Sequence, residues 1–180
     1  MLTKYKIELN GLLASIDPQI LIDLAQVLRC CKGIVFIAGN GGSASNAGHL
    51  ALHLNQAGIR AVSLPDMVAS MTAAANDFGY EECFVRVTGP LRHEDVVLVI
   101  SCSGNSPNIL RLLKAAKQTN TYRIGLLGNN GGKALKQCLL SIFLFPAPAG
   151  ITEDIHSVII HLMTDLLGKR ALDKRPPDVL

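Results

Sequence analysis

Five short apolar runs, each continuous rather than alternating, constrain this 180-residue chain more than any other feature: GIVFIAG (33–39), RAVSL (60–64), DVVLVIS (95–101), RIGLLG (123–128) and LSIFLFP (140–146). A strand that is apolar at successive positions is covered on both faces, as the strands of a parallel sheet are. Asp17 followed by Pro18 reads as an N-cap and a first helical residue, opening a helix that runs to about Cys31. Further helices are expected over 43–57, 67–76, 106–118, 132–138 and 152–168. Strands alternating with helices build βαβ units. The expectation is therefore an α/β fold, a doubly wound five-stranded parallel sheet flanked by helices, with ligands outside the carboxyl ends of the strands. Residues 1–168 are read as one domain that includes an N-terminal helical segment, and 169–180, which contain Pro176-Pro177, as a frayed tail.

Composition narrows the function classes. Apolar residues make up 49% of the chain and charged residues 17%, enough for one buried core. The net charge of +3 is spread along the sequence, with no basic stretch denser than GKRALDKRPP, so direct contact with nucleic acid is not expected. The sixteen residues ahead of Asp17 leave no room for a separate DNA-binding domain. Cys30, Cys31, Cys83, Cys102 and Cys138 show no CxxC spacing and lie in mostly apolar segments, a pattern of buried thiols in a reducing compartment, here the cytoplasm. The opening MLTKYKIELN has no signal pattern, and no apolar stretch approaches the roughly 20 residues that span a bilayer, so no membrane association is expected.

Two strand ends carry the chemistry. GNGGS (39–43) lies between a strand and a helix, where glycines permit a tight turn and close ligand approach and Ser43 can cap the helix. SCSGNSPN (101–108) lies in the same position after the third strand. The hydroxyls of Ser101, Ser103 and Ser106, together with free N–H groups at a helix start, can wrap phosphate oxygens without a lysine. The stretch lacks the GxxxxGK[ST] pattern, so a nucleoside triphosphate is not expected there, nor is any nucleotide cofactor.

With these motifs in place, GNGGSASNAGH, AANDFGY, VISCSGNSPNIL and EDIHSVIIHLMTDLL together resemble the sugar isomerase (SIS) domain family, in its phosphoheptose isomerase branch, over about residues 15–168. The resemblance implies a flavodoxin-like three-layer sandwich and interconversion of sedoheptulose 7-phosphate with an aldose heptose phosphate through an enediol. It implies that Ser101, Ser103 and Ser106 hold the phosphate, with Cys102 beside them where the family has threonine. It also implies that Asn40, Gly41, Gly42 and Ser43 face the substrate and that Asp77 meets its hydroxyls. Members use a last-helix histidine, matched by His161, and a glutamate in the first-motif helix, and often hold zinc through that glutamate, two histidines and a glutamine. His49 matches the first-motif histidine. The chain departs from the pattern at His53, where the family has its glutamate, at Glu153, where it has glutamine, and at Gly150, where an aspartate is expected; the NQAGIR loop is also shorter.

The spacing bears on what this exchange means. His49 and His53 are i, i+4 on one helix face, and Glu153, Ser157 and His161 form an i, i+4, i+8 stripe on another. Should the two faces converge, His49, His53, Glu153 and His161 would make an acceptable tetrahedral zinc set; otherwise Glu153 is the proton-moving base, with His161 and His53 the other catalytic candidates. His156 is about 140° around the helix from His161 and reads as a packing residue, and His93 as a solvated loop residue. Two functions follow: a phosphosugar isomerase, or a non-catalytic phosphosugar-binding relative of the replication-initiator-associating proteins. Apolar excess in IDPQILIDLAQVLRCC and IHSVIIHLMTDLL, beyond one buried stripe, points to a homo-oligomer, and the family usually forms a tetramer.

Overall fold

The computed structural model describes residues 1–172. Its five strands are β1 (Val35–Ala38), β2 (Ala61–Ser63), β3 (Val96–Ser101), β4 (Tyr122–Leu127) and β5 (Leu140–Phe143), all parallel, in the order β2-β1-β3-β4-β5. This is the flavodoxin-like doubly wound arrangement, and its switch point lies between β1 and β3, which pair from Val35↔Val96 to Ala38↔Val99.

The first four strands each feed two cores, which explains their continuous apolar runs, whereas the fifth feeds one and leaves Phe143 exposed on its other side. Val35, Ile37, Leu98, Ile100, Ile124 and Leu126 face one layer, while Phe36, Ala38, Val97, Val99 and Leu127 face the other. The first layer comprises α1 (Leu2–Ala14), α2 (Pro18–Cys30), α3 (Gly42–Gln56) and α7 (Ala149–Leu172); the second comprises α4 (Val68–Phe78), α5 (Cys83–Thr88) and α6 (Pro107–Gln118). Asp17 caps α2 as expected, accepting from the Gln19 N–H at 2.9 Å with Pro18 in the first turn. Fully buried Leu24 and Leu28 then set α2 against the core, each side chain contributing about 1.5–3 kcal/mol.

α7 is the central helix of its layer. It buries Ile151, Ile155, Ile159, Ile160 and Met163 and packs on α1, α2 and α3. The Arg29 guanidinium donates to the Leu166 carbonyl at 2.9 Å, and the Tyr5 hydroxyl donates to the Asp154 carboxylate.

Several boundaries differ from expectation. α7 starts at Ala149 and continues to Leu172, past the expected end at 168; the rest of the expected tail, 173–180, lies outside the described residues. The segment 132–138 is not an α-helix. It holds the second of two 3-10 turns, Asn129–Gly131 and Leu135–Gln137, because Asn130, Gly131 and Gly132 all adopt positive φ and break the helical path. α1 and α5 are additional: α1 buries only Leu12, so it carries little periodic signal, and α5 is six residues long. No single described helix is long and apolar enough to cross a membrane.

Candidate functional site

Because β1 and β3 are neighbours, the loops that follow them face each other at the carboxyl end of the sheet. They enclose a cavity of about 160 Å3 lined by Asn40 from the first loop, by Ser43 from the first turn of α3 and by Ser101, Cys102, Ser103 and Ser106 from the second loop, with Glu153 of α7 at its wall. Among the described residues, no lysine or arginine lines it. A roomier hollow of about 400 Å3 lies at the opposite end of the sheet, between Cys30, Cys31, His93 and Tyr122, but gathers no comparable set of hydroxyls.

The hydroxyls are poised rather than consumed. Ser101 is buried and its Oγ accepts from the Gly104 N–H at 3.0 Å, while exposed Ser103 accepts from the Asn105 N–H at 3.1 Å, which leaves both O–H groups free to donate. Ser106 occupies the N-cap of α6 without a side-chain capping bond. Gly104, at φ 62°, lets this loop turn in the left-handed region, and a Cβ there would collide with the Gly131 backbone.

Gly41, at φ 58°, is the N-cap of α3, and it too provides no side-chain bond. The Glu153 carboxylate stands against Gly42, in the space a Cβ would take. It therefore lies at the positive end of the α3 dipole, where a carboxylate is favoured. Cys102 links these parts: its Sγ is 3.7 Å from Ser43 Oγ and 3.7 Å from Glu153 Oε1. Burial pushes the Cys102 thiol up, against the smaller lowering effect of the Ser43 hydrogen bond, so it remains a neutral thiol.

The second cluster is built by α3 and α7. His49 Nε2 is 2.8 Å from His161 Nε2 and 3.2 Å from His53 Nε2, and one ring nitrogen of each lies within 4.8 Å of the other two. The two helix faces therefore converge at these three histidines. The fourth expected ligand, Glu153, is not among them, because its carboxylate is held at Gly42 and Cys102 instead. Desolvation lowers the His49 pKa below the usual histidine value, and the adjacent His53 and His161 lower it further.

The remaining expectations divide. Asp77 is exposed on α4, accepts from Asn76 Nδ2 at 2.9 Å, and does not line the cavity. From the same AANDFGY segment it is Tyr80 that reaches the site, donating its hydroxyl to Asn40 Oδ1 at 2.8 Å. Asn40 in turn pairs with Asn108, the residue directly after Pro107. Tyr80 and Asn108 were not among the expected site residues. His156 is fully buried, neither ring nitrogen finds a hydrogen-bond partner among the described residues, and burial pushes its pKa down to about 4 against a smaller raising effect of the Leu127 backbone. His93 is exposed.

Comparison with known proteins agrees with this geometry. Residues 23–128 match the SIS domain model. The phosphoheptose isomerase of Helicobacter pylori strain P12 is 35% identical over 150 residues, which cover 79% of this chain and 78% of that protein. The chain belongs to the SIS domain family, in its phosphoheptose isomerase branch. Solved phosphoheptose isomerases superpose closely on it. The Neisseria gonorrhoeae enzyme gives a TM-score of 0.85 at 26% identity, covering 92% of this chain and 94% of that one. The Francisella tularensis enzyme gives 0.81 at 26% identity, covering 93% and 92%.

Proposed function

We propose that the chain is a phosphosugar isomerase that interconverts sedoheptulose 7-phosphate and an aldose heptose 7-phosphate through an enediol. The observation that carries this reading is the placement of the Glu153 carboxylate in the same cavity as Ser101, Ser103 and Ser106. Phosphate binding by the three hydroxyls and the α6 N-terminus brings the sugar chain towards a carboxylate able to act as a base. Glu153 removes the proton from C1, next to the C2 carbonyl, and returns it to C2, while the hydroxyl proton passes from O1 to O2. Asn40 and Ser43 face the sugar from the first loop and the first turn of α3.

Three neutral imidazoles with converging nitrogens are a donor set that suits zinc, and His49, His53 and His161 would hold it. Such an ion would polarise the carbonyl oxygen as a Lewis acid. In a protein that takes up no metal, His161 joins Glu153 in moving protons.

The working form is a homo-oligomer, a tetramer on the family's pattern. Its support is the exposed apolar surface of α4, with Val68 at 64% and Phe78 at 51% exposure, and Tyr80 just beyond it. The helices that suggested an oligomer from sequence do not supply that surface: of their larger apolar residues, among those whose burial is described, only Ile22 and Leu162 are exposed, the rest being taken up by packing of α2 and α7 within the chain. All five cysteines are free thiols, which fits a cytoplasmic location.

The deciding experiment incubates the purified protein with sedoheptulose 7-phosphate, with and without zinc, and looks for a new heptose 7-phosphate. Conversion that is lost in Glu153→Gln is expected. Binding without conversion under either condition would favour the non-catalytic reading, to which the absence of glutamate at position 53 already lends weight.

A further inference from the structure

Asn108 is 1% exposed in the first turn of α6, and its amide meets that of Asn40 across the gap between the two loops. Asn108 Oδ1 accepts from Asn40 Nδ2 at 3.0 Å and from the Ile109 backbone N–H at 3.0 Å. Asn108 Nδ2 donates to Asn40 Oδ1 at 2.9 Å and to Cys83 Sγ at 3.8 Å. Asn40 Oδ1 also takes the Tyr80 hydroxyl.

The backbone dictates the sense of this network. The Ile109 N–H can only donate, so the atom of Asn108 that faces it must be oxygen; the turned-over amide would set N–H against N–H. The Asn108 nitrogen is thereby directed at Asn40, which must answer with its own oxygen. Both lone pairs of Asn40 Oδ1 are then engaged. Of the two Asn40 N–H bonds, one goes to Asn108 and the other has no partner among the described residues, while the side chain lines the cradle cavity.

We propose that Asn108 and Tyr80 are positioning residues that lock the Asn40 amide in one orientation, so that its remaining N–H is presented to an acceptor oxygen of the bound sugar phosphate. The identity of that ligand rests on the isomerase reading; the orientation of the amide does not. An unrestrained amide offers its oxygen as readily as its nitrogen, and the carbonyl, enediolate and phosphate oxygens of such a ligand are all acceptors. The amide pair also ties the β1 loop to the β3 loop, so both walls of the cavity keep one spacing.

The test is a double-mutant cycle read by kcat/KM and by calorimetric affinity for sedoheptulose 7-phosphate. Tyr80 is 59% exposed, so Tyr80→Phe leaves packing intact. Asn108→Asp keeps the shape and the acceptor for Ile109 but offers Asn40 two acceptors, so that either orientation of that amide sets one oxygen against another and its sense is no longer dictated. Asn40→Ala and Asn108→Asp are each expected to weaken both quantities about 10–100-fold and Tyr80→Phe about 3–10-fold. Neither Asn108→Asp nor Tyr80→Phe should add to the loss once Asn40 is alanine. Additive losses, or unchanged affinity in both single variants, overturn the proposal. If the wild type binds without turnover, the isomerase reading falls and the affinity cycle alone decides this one. In ligand-free protein, NMR of the Asn40 side-chain amide should show one proton protected from exchange and one open; two equally exchanging protons overturn the proposal whatever the ligand does.

Discussion

Glu153 and His156, three positions apart on α7, meet opposite chemical surroundings. Glu153 borders the cradle because Gly42 leaves it room, so Gly42→Ala should drive the carboxylate away and lower kcat more than sugar-phosphate affinity, a split that steady-state kinetics can read. His156 has no partner for either nitrogen among the described residues, and its pKa in the fold is about 4 against 6.5 ordinarily. Between these values the unfolded chain binds the proton that the folded chain refuses. Stability from this site is therefore complete above about pH 6.5 and is lost as pH falls towards 4, by roughly 3 kcal/mol at about 1.36 kcal/mol per unit. His156→Met should flatten that acid limb in urea titrations run across the same pH range. For the phosphate, Ser103→Ala with Ser106→Ala should weaken sugar-phosphate binding by more than about 100-fold, each charge-assisted bond contributing about 1.5–3 kcal/mol. That the three serines would line one cavity was legible in sequence because all of them lie between a strand end and a helix start. Tyr80 and Asn108 were not, because an amide's partner across 68 residues is set by strand order, which local patterning does not encode.

At the scale of elements, helical spacing placed His49 and His53 on one face of α3 and His161 on one face of α7, and left open whether the two faces meet, as they do. It could not predict where the Glu153 side chain would point, because that depends on the missing Cβ at Gly42. The expected consequence is a zinc stoichiometry of about one per chain that is abolished by His53→Gln as fully as by His161→Gln, and left in place by Glu153→Gln. Elemental analysis of the three variants after zinc loading and desalting checks this. The first four strands were legible to within two residues, since burial on both faces leaves an unbroken apolar run, while the fifth run overshoots β5 by three residues. The segment 132–138 was misread as helix because its apolar spacing is helical while the backbone leading into it, at Asn130, Gly131 and Gly132, is not. Apolar excess on α7 was real, but α1 and α2 cover it.

For the molecule as a whole, the exposed apolar surface around Val68, Phe78 and Tyr80 predicts a light-scattering mass several times the 19.2 kDa of one chain, with Val68→Glu shifting it towards the monomer. A mass of 19.2 kDa for the wild type at micromolar concentration would rule this out. The adjacency of β1 and β3 has a consequence for biosynthesis. During translation the glycine loop after β1 emerges long before the serine loop after β3, and neither can hold a ligand until the central pair of the sheet has closed. A sugar phosphate therefore recognises only chains that have completed that pairing, and it stabilises them by RT ln(1 + [L]/Kd), about 2.7 kcal/mol at a hundredfold excess over Kd. Supply of its own ligand thus acts as a selective brake on unfolding, protecting finished molecules from proteolysis while leaving nascent ones untouched.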